Sequence, residues 1–388
     1  MKKITKNKKL RYITHYLILI FLSFNVIAQN KNNTQDSFSK LTAKEQSIYN
    51  WIKAQQLPNG LIKNTETSSN SSLYNNALVA ILFISQNDLK KAASIFNYYN
   101  NQLNTEFFKK TGGFSQMRTI NNEINNRTWM GDNAWLLIAI NIYHQKTNTH
   151  KYLKLANSIE NWLRSLQDTD GGLWGGFEAN GNRIPKNTEG MLDAYHAVLG
   201  FDTFHSNILQ FLKKNRWNVT AQHLTTTEEK HKYSKALDLH SWSSCILEDF
   251  PKNSLEKASM FLSTQKITFN NKIINGFCFD IDNDCVWLEG TGQMVVAYHF
   301  YNEKEKANYF LHEMSKAIIT SSSNSMLKGL PYVSNNATNF GRDFIWKNAD
   351  KVPSISSSVW YLFGSLNYNP FETNFKRNIP IEFKFWVN

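Results

Sequence analysis

Five carboxylates in this sequence stand at the starts of apolar, helix-forming runs: Asp132 in MGDNAW, Glu189 and Asp193 in NTEGMLDAY, Asp238 in ALDLHSW and Glu289 in WLEGTG. Two carboxylic acids can divide a reaction between a proton donor and a proton acceptor when their surroundings set their pKa values apart. Asn75, Asn76, His240 and Ser356 to Ser358 occupy similar helix starts, while Arg127, Trp129, Trp174, Trp287 and Trp346 lie in the loops just before them. Indole faces stack on sugar rings, and Asn, Asp and Arg bond sugar hydroxyls. The mixture therefore fits a carbohydrate site with general acid and base catalysis.

Each position also has a structural explanation. Asp, Asn and Ser are favoured helix N-caps, which accounts for Asp132 and Asp238 without any chemistry. Glu is not a favoured cap, and Glu189 and Glu289 are each followed by Gly, so both are expected to face a ligand. Asp193 lies four residues beyond Glu189, on the same helical face. Glu289, flanked by apolar Trp287 and Leu288, is expected to be the proton donor, because an apolar setting raises a carboxyl pKa. Asp132, or Glu189 with Asp193, would be the base. Trp129, Trp174 and Trp287 would stack on substrate, and Arg127, Asp238, His240 and Asn76 would supply polar contacts. Trp135, Trp242, His196 and His299 lie inside apolar runs and read as core.

These residues need elements that bring them together. Six runs apolar on nearly every face begin at Ser72, Met130, Thr188, Ala236, Leu288 and Ser354, about sixty residues apart. A helix that is hydrophobic all round is a buried one. Six amphipathic patterns alternate with them, starting at Lys44, Asp88, Lys151, Ser206, Ser254 and Glu303. The charges of these patterns cluster at helical spacing, as on a solvated outer layer. The economical architecture is all-α: an (α/α)6 toroid of six helical hairpins over residues 41–372, with inner helices pointing their N-termini into one funnel. An open solenoid also stacks helical pairs but needs polar caps. The tail from 373 to 388, with alternating IEFKFWV, reads as one or two short strands.

Composition bounds the rest. The chain has 388 residues, 41% of them hydrophobic, a formal charge of +12, and only three cysteines. That excludes a disordered chain and a disulfide framework. Residues 1–28 have a basic start, an apolar run from Tyr16 to Ile27 and small residues before Gln29, the layout of a cleaved secretory signal. The apolar run is short for a bilayer span, so a secreted or periplasmic chain with no stable membrane span is expected. Residues 29–40 would be a linker. Removing the signal takes away six positive charges and leaves +6. No basic run interleaved with aromatics occurs, so nucleic acid is not an expected partner. The expected partner is a carbohydrate, the expected state a monomer, and no cofactor or metal is called for. Asp280, Asp282 and Asp284 alternate as in a calcium loop, but Cys285 replaces the required Gly and Thr291 the required Glu. Cys278 and Cys285 are close enough in sequence to pair, which leaves Cys245 odd.

DGGLWGG after an outer helix, NTEGMLDAYHAVL, FDIDNDCVWLEGTGQM and SISSSVWYLFGSLNYNPF resemble segments of the six-hairpin glycosidase superfamily. The resemblance implies an (α/α)6 fold and a secreted glycoside hydrolase with an Asp/Glu pair at the rim, drawn from Asp132, Glu189, Asp193, Asp238 and Glu289. Polysaccharide lyases and sugar epimerases occupy related toroids. A lyase would need a Tyr/His or Arg constellation, for which Tyr195, His196, His240 and Arg127 are available; a non-catalytic glycan-binding protein would keep the aromatics alone. ENWLRSLQDTDGGLW is also similar to the QW repeat of squalene and terpene cyclases, but no DxDD motif accompanies it.

Overall fold

The computed structural model of the chain describes residues 41–227, 234–336, 348–372 and 377–387. The signal-like segment, the 29–40 linker and Trp346 lie outside the described residues.

Twelve α-helices occur among the described residues: α1 (Ala43–Ala54), α2 (Leu73–Ser85), α3 (Leu89–Asn101), α4 (Met130–Thr147), α5 (Leu153–Ser165) and α6 (Thr188–Ala197), then α7 (Thr203–Asn215), α8 (Asp238–Ile246), α9 (Asn253–Lys257), α10 (Leu288–Phe300), α11 (Lys304–Ser315) and α12 (Ile355–Ser365). The even-numbered helices are the buried ones. In α2 every residue except Tyr74 and Ser85 is buried, whereas α5 buries Leu155, Ala156, Ile159, Trp162 and Leu163, one stripe at helical spacing. The buried helices form a ring: α2 packs on α4, α4 on α6, and so through α8, α10 and α12, which closes on α2. Each inner helix also packs on the outer helix that follows it, and α12 packs on α1, so the first helix completes the last hairpin. This is the expected (α/α)6 toroid.

The two ends of the ring differ. At one end inner and outer helices join through short turns. Asn87, Asn302 and Asn367 follow α2, α10 and α12 with φ of 60, 60 and 51°. In each, the next residue's N–H reaches back five residues: Asp88 to Phe83 (2.7 Å), Glu303 to Tyr298 (2.8 Å) and Tyr368 to Phe363 (2.8 Å). These are Schellman ends, where Asn tolerates the left-handed backbone. At the other end long segments (55–72, 102–129, 166–187, 216–237, 258–287 and 316–354) lead into the inner helices. Residues on those long loops are the ones free to vary in chemistry.

Glutamine anchors two of the loops in the same way. Gln56 donates to Gly60 O and Lys91 O, and Gln167 donates to Gly171 O and Phe204 O. The QW-like segment is thus a loop lock between neighbouring hairpins.

Two expected elements differ. The pattern from Ser254 is helical only over α9, followed by a 3-10 turn at Ala258–Phe261 and then a hairpin of Leu262–Lys266 and Ile273–Phe277. Thr264 and Ile267 are β-branched, and the first strand buries Ser263 while exposing its neighbours Leu262 and Thr264, which suits a strand better than a helix turn. The tail contains no strand among its described residues. Ile381–Phe383 is a 3-10 turn, and the alternation instead buries Phe385 and Trp386 against the ring. Trp386 Nε1 donates to Glu248 O at 3.1 Å.

Candidate active site

The inner-helix N-termini open onto one cavity of about 210 Å3. Asp132, Glu189, Asp193, Asp238 and Glu289 all line it, together with Trp129 and Trp287. The sequence separates these residues by up to 160 positions; the ring collects them because Cβ atoms tilt towards a helix N-terminus, projecting first-turn side chains off the helix end. Tyr74, Glu189 and Glu289 are each the second residue of their helices. Trp135 and Trp242, almost wholly buried, form the floor of the cavity.

Glu289 is held by hydroxyl donors from three directions. Tyr74 Oη donates to its Oε1 at 2.7 Å and itself accepts from Trp360 Nε1 at 3.0 Å. Tyr332 also donates to it, and Ser356 supplies a third bond. Gln293, one turn along α10, adds Nε2 at 3.4 Å. Burial and the nearby Glu289 charge hold both phenols well above their usual pKa, so they stay protonated donors. Burial raises the Glu289 pKa, and the three hydroxyls oppose that rise.

Glu189 has the opposite surroundings. Burial raises it first, and Asp238, Asp193, Asp132 and Glu289 then raise it further, well above the usual carboxylate range. Asp193 is raised by burial as well, although Trp242 Nε1 donates to its Oδ1 at 2.6 Å and Trp135 also donates to it. Its close approach requires Gly131, where a Cβ would stand 2.8 Å from Asp193 Oδ2. Asp132 is pushed to about 7 by burial, against the pull of Arg127, the Tyr74 N–H and the Gln116 side chain. Asp238 is also pushed to about 7 by burial, with the Leu239 N–H opposing. Neither Asp132 nor Asp238 is the N-cap of its helix; Trp129 and Leu237 hold those positions. A helix N-terminus stabilises an exposed anion by about 0.3–1 kcal/mol, and here desolvation and mutual repulsion outweigh it.

Two buried acceptor atoms in the cavity, Asp238 Oδ1 and Gln293 Oε1, lack a hydrogen-bond partner among the described residues. Both are acceptors, and a hydroxyl-rich ligand would satisfy them.

The remaining expected contacts fall elsewhere. Asn76 is fully buried, its Oδ1 accepting from Ile62 N (2.9 Å) and its Nδ2 donating to Ser71 and Ser72, so its polar atoms are spent on the loop before α2. His240 is buried outside the cavity lining, bonded through Nδ1 to Ser254 O (3.0 Å) and packed on Phe261. Trp174 also stands outside the lining, between Arg183 and Lys186. Arg127 acts at one remove: it bonds Glu178 and Gln116 and covers the Trp129 ring, and Gln116 in turn bonds Asp132. Tyr195 packs under Arg377 and His196 against Phe371, so the constellation considered for a lyase is not assembled. The polar cavity residues not foreseen are Tyr74, Tyr332, Gln116 and Gln293. Tyr74 shares the helix position of Glu189 and Glu289, which was a legible signal; Tyr332, in an irregular loop, had none.

Among solved structures the fold has relatives at low sequence identity. An alpha-amylase from Clostridium perfringens superposes with a TM-score of 0.61 at 12% identity, covering 84% of this chain and 98% of its own. A glycosidase solved in complex with glucose gives 0.61 at 10% identity, covering 87% and 99%. A D-mannose isomerase gives 0.57 at 11% identity, covering 86% and 98%. No protein-family profile and no curated protein sequence matches the chain. The fold is that of the six-hairpin glycosidases and their sugar-isomerising relatives, and no family within it is assigned.

Proposed function

We propose that this protein is an exported glycoside hydrolase acting on a neutral poly- or oligosaccharide, with Glu189 as proton donor and Glu289 as base. The observation that carries the reading is the convergence of five carboxylates and two indoles on one cavity of a six-hairpin toroid. The roles reverse the expectation from sequence. Glu289 accepts bonds from Tyr74, Tyr332 and Ser356, which favour its ionised form, while the charges around Glu189 favour its protonated one. A protonated acid beside an ionised carboxylate is the arrangement that cleaves a glycosidic bond.

In the reaction Glu189 gives its proton to the leaving glycosidic oxygen as the C–O bond breaks. Glu289 either takes a proton from the attacking water or attacks the anomeric carbon itself; Tyr74 and Tyr332 hold its orientation in both cases. Trp129 and Trp287 flank the sugar, and Asp238 Oδ1 and Gln293 Oε1 accept its hydroxyls. The ionised Glu289, in a lining of described residues that includes no Arg or Lys, disfavours a uronate and favours a neutral sugar. The basic, apolar start of the chain supports export.

The test is a screen of the purified protein against neutral glucans, mannans and galactans and against polyuronates, reading new reducing ends and ultraviolet-absorbing unsaturated products. Reducing ends from a neutral glycan are expected, and Glu289→Gln should lower kcat by at least 100-fold with glycan binding retained. Unsaturated products, interconversion of free sugars without new reducing ends, or undiminished turnover by the Gln variant would each overturn the assignment.

A further inference from the structure

We propose that the loop joining the Ile273–Phe277 strand to α10 holds one zinc ion, or a divalent cation of similar thiophilic character, through Cys278, Asp284 and Cys285, with a water molecule completing a tetrahedron. The sequence alone calls for no metal, and nothing in the reading of the cavity above requires one.

The geometry points to an ion of that size. Cys278 Sγ and Cys285 Sγ are 3.8 Å apart. Two thiolates bound about 2.3 Å from a tetrahedral zinc stand about 3.8 Å apart, whereas disulfide sulfurs stand about 2.0 Å apart. The Oδ1 atom of Asp284 lies 3.9 Å from Cys278 Sγ. A thiolate and a carboxylate oxygen sharing the same tetrahedral ion, the oxygen about 2.0–2.2 Å from it, come to about 3.5 Å. One ligand atom from each of Cys278, Asp284 and Cys285 falls within 4.8 Å of the others. Both thiols are buried, at 1% and 0% exposure.

The chemistry of the donors selects the ion. Calcium and magnesium take all-oxygen sets, and two thiolates exclude them in favour of zinc-like ions. The same loop therefore fails as an EF-hand and succeeds as a mixed thiolate and carboxylate site. Asp280 and Asp282, whose Oδ1 atoms are 3.8 and 3.6 Å from Cys278 Sγ, group with that thiol but not with Cys285. Binding displaces the two thiol protons into solvent and leaves a tetrahedral ion with three anionic ligands and one water.

The site has a structural consequence. Phe279, inside the loop, lines the sugar cavity and meets the Trp287 ring edge-on at 5.0 Å. Its carbonyl accepts from Leu237 N at 2.9 Å, just before α8. An ion at Cys278 and Cys285 thus ties the approach to α10 to the approach to α8.

The experiment titrates the purified, reduced and metal-stripped protein with cobalt(II) without oxygen, followed by zinc. One equivalent of cobalt should bind with a thiolate-to-cobalt charge-transfer band, zinc should displace it, and the thermal midpoint should rise until one equivalent of zinc is bound. Asp284→Asn should weaken zinc at least tenfold while keeping the charge-transfer band, and Cys285→Ser should diminish the band. The wild-type titration stands by itself if the Cys variant does not fold. Binding without a charge-transfer band would overturn the proposal. So would a denatured thiol count of one in the protein as first purified without reductant, since Cys278 and Cys285 would then be a disulfide.

Discussion

At the residue scale, the cavity separates two glutamates by what surrounds them. Glu289 faces three hydroxyl donors, one of them reinforced by an indole N–H. Glu189 faces four other carboxylates. A substrate whose leaving group departs unaided therefore distinguishes the roles. Glu189→Gln should lower kcat/KM on a natural glycan by roughly 10²–10⁴-fold, yet retain most of its rate on an aryl glycoside with a nitrophenolate leaving group and lose the alkaline limb of the pH profile. Glu289→Gln should fail on both substrates. Equal losses of the Glu189 variant on both would remove it from proton donation.

Asp238 makes a second residue-scale prediction. Its carboxyl is raised to about 7 in the folded chain, against about 3.9 unfolded. Between about pH 4 and 7 the folded state holds the proton and the unfolded state has lost it. Stability then falls as pH rises through that window and levels off above it. Asp238→Asn should flatten the fall in thermal midpoint over those values, in a pH series of calorimetric scans, and should match or exceed wild type at pH 8. An unchanged slope would show that Asp238 ionises normally. Asp132, also raised to about 7, keeps part of the slope in the variant.

At the element scale, the helix ends explain where many of the asparagines stand. Many of the chain's asparagines occupy left-handed positions, among them Asn87, Asn148, Asn302 and Asn367 after inner helices. Asn367, with φ of 51°, should accept Gly with little change in urea midpoint. Asn367→Val should cost about 1–2 kcal/mol, since a β-branched side chain crowds the carbonyl in that conformation. The glycines at the other helix ends carry the site. At Gly290 a Cβ would lie 2.1 Å from Trp287 Cε3, so this position lets the indole fold across the start of α10 and reach the cavity.

At the scale of the whole molecule, the described tail closes one sector of the ring. Arg377 donates to His196 O (2.7 Å) and Val198 O (2.9 Å), the last carbonyls of α6, and lies over the Tyr195 ring. Glu248 accepts from Arg377 N (2.7 Å), fastening the tail beside the end of α8. Arg377→Ala removes the side-chain donor to the His196 carbonyl and should cost about 1–3 kcal/mol in denaturant unfolding, while kcat stays near wild type because the cavity is at the opposite helix ends. A loss of activity without loss of stability would contradict that separation. The inner ring, by contrast, is continuous apolar packing from α2 round to α12, so the rim can carry repelling carboxylates on a stable frame.

The six buried and six outer helices were legible because their periodicity is a one-dimensional record of which face meets water, and the short turns because Asn and its neighbours act locally. The five carboxylates were legible as a set: each stands near the start of a buried run, and a ring that gathers those helix starts gathers them, although capping alone also accounts for Asp132 and Asp238. What the chain order conceals is distance. Asn76 and His240 stand at helix starts as promising as that of Glu289, yet their polar atoms are used by Ile62, Ser71, Ser72 and Ser254. Trp135 and Trp242 read as core and are core, but their N–H groups reach Asp193 across the ring. The strand at Leu262–Lys266 prevailed over a weak helical pattern through pairing with residues 273–277. Above all, the choice between Glu189 and Glu289 depends on the sum of burial, neighbouring charge and donated hydrogen bonds, terms that decay with separation in space and have no counterpart in separation along the chain.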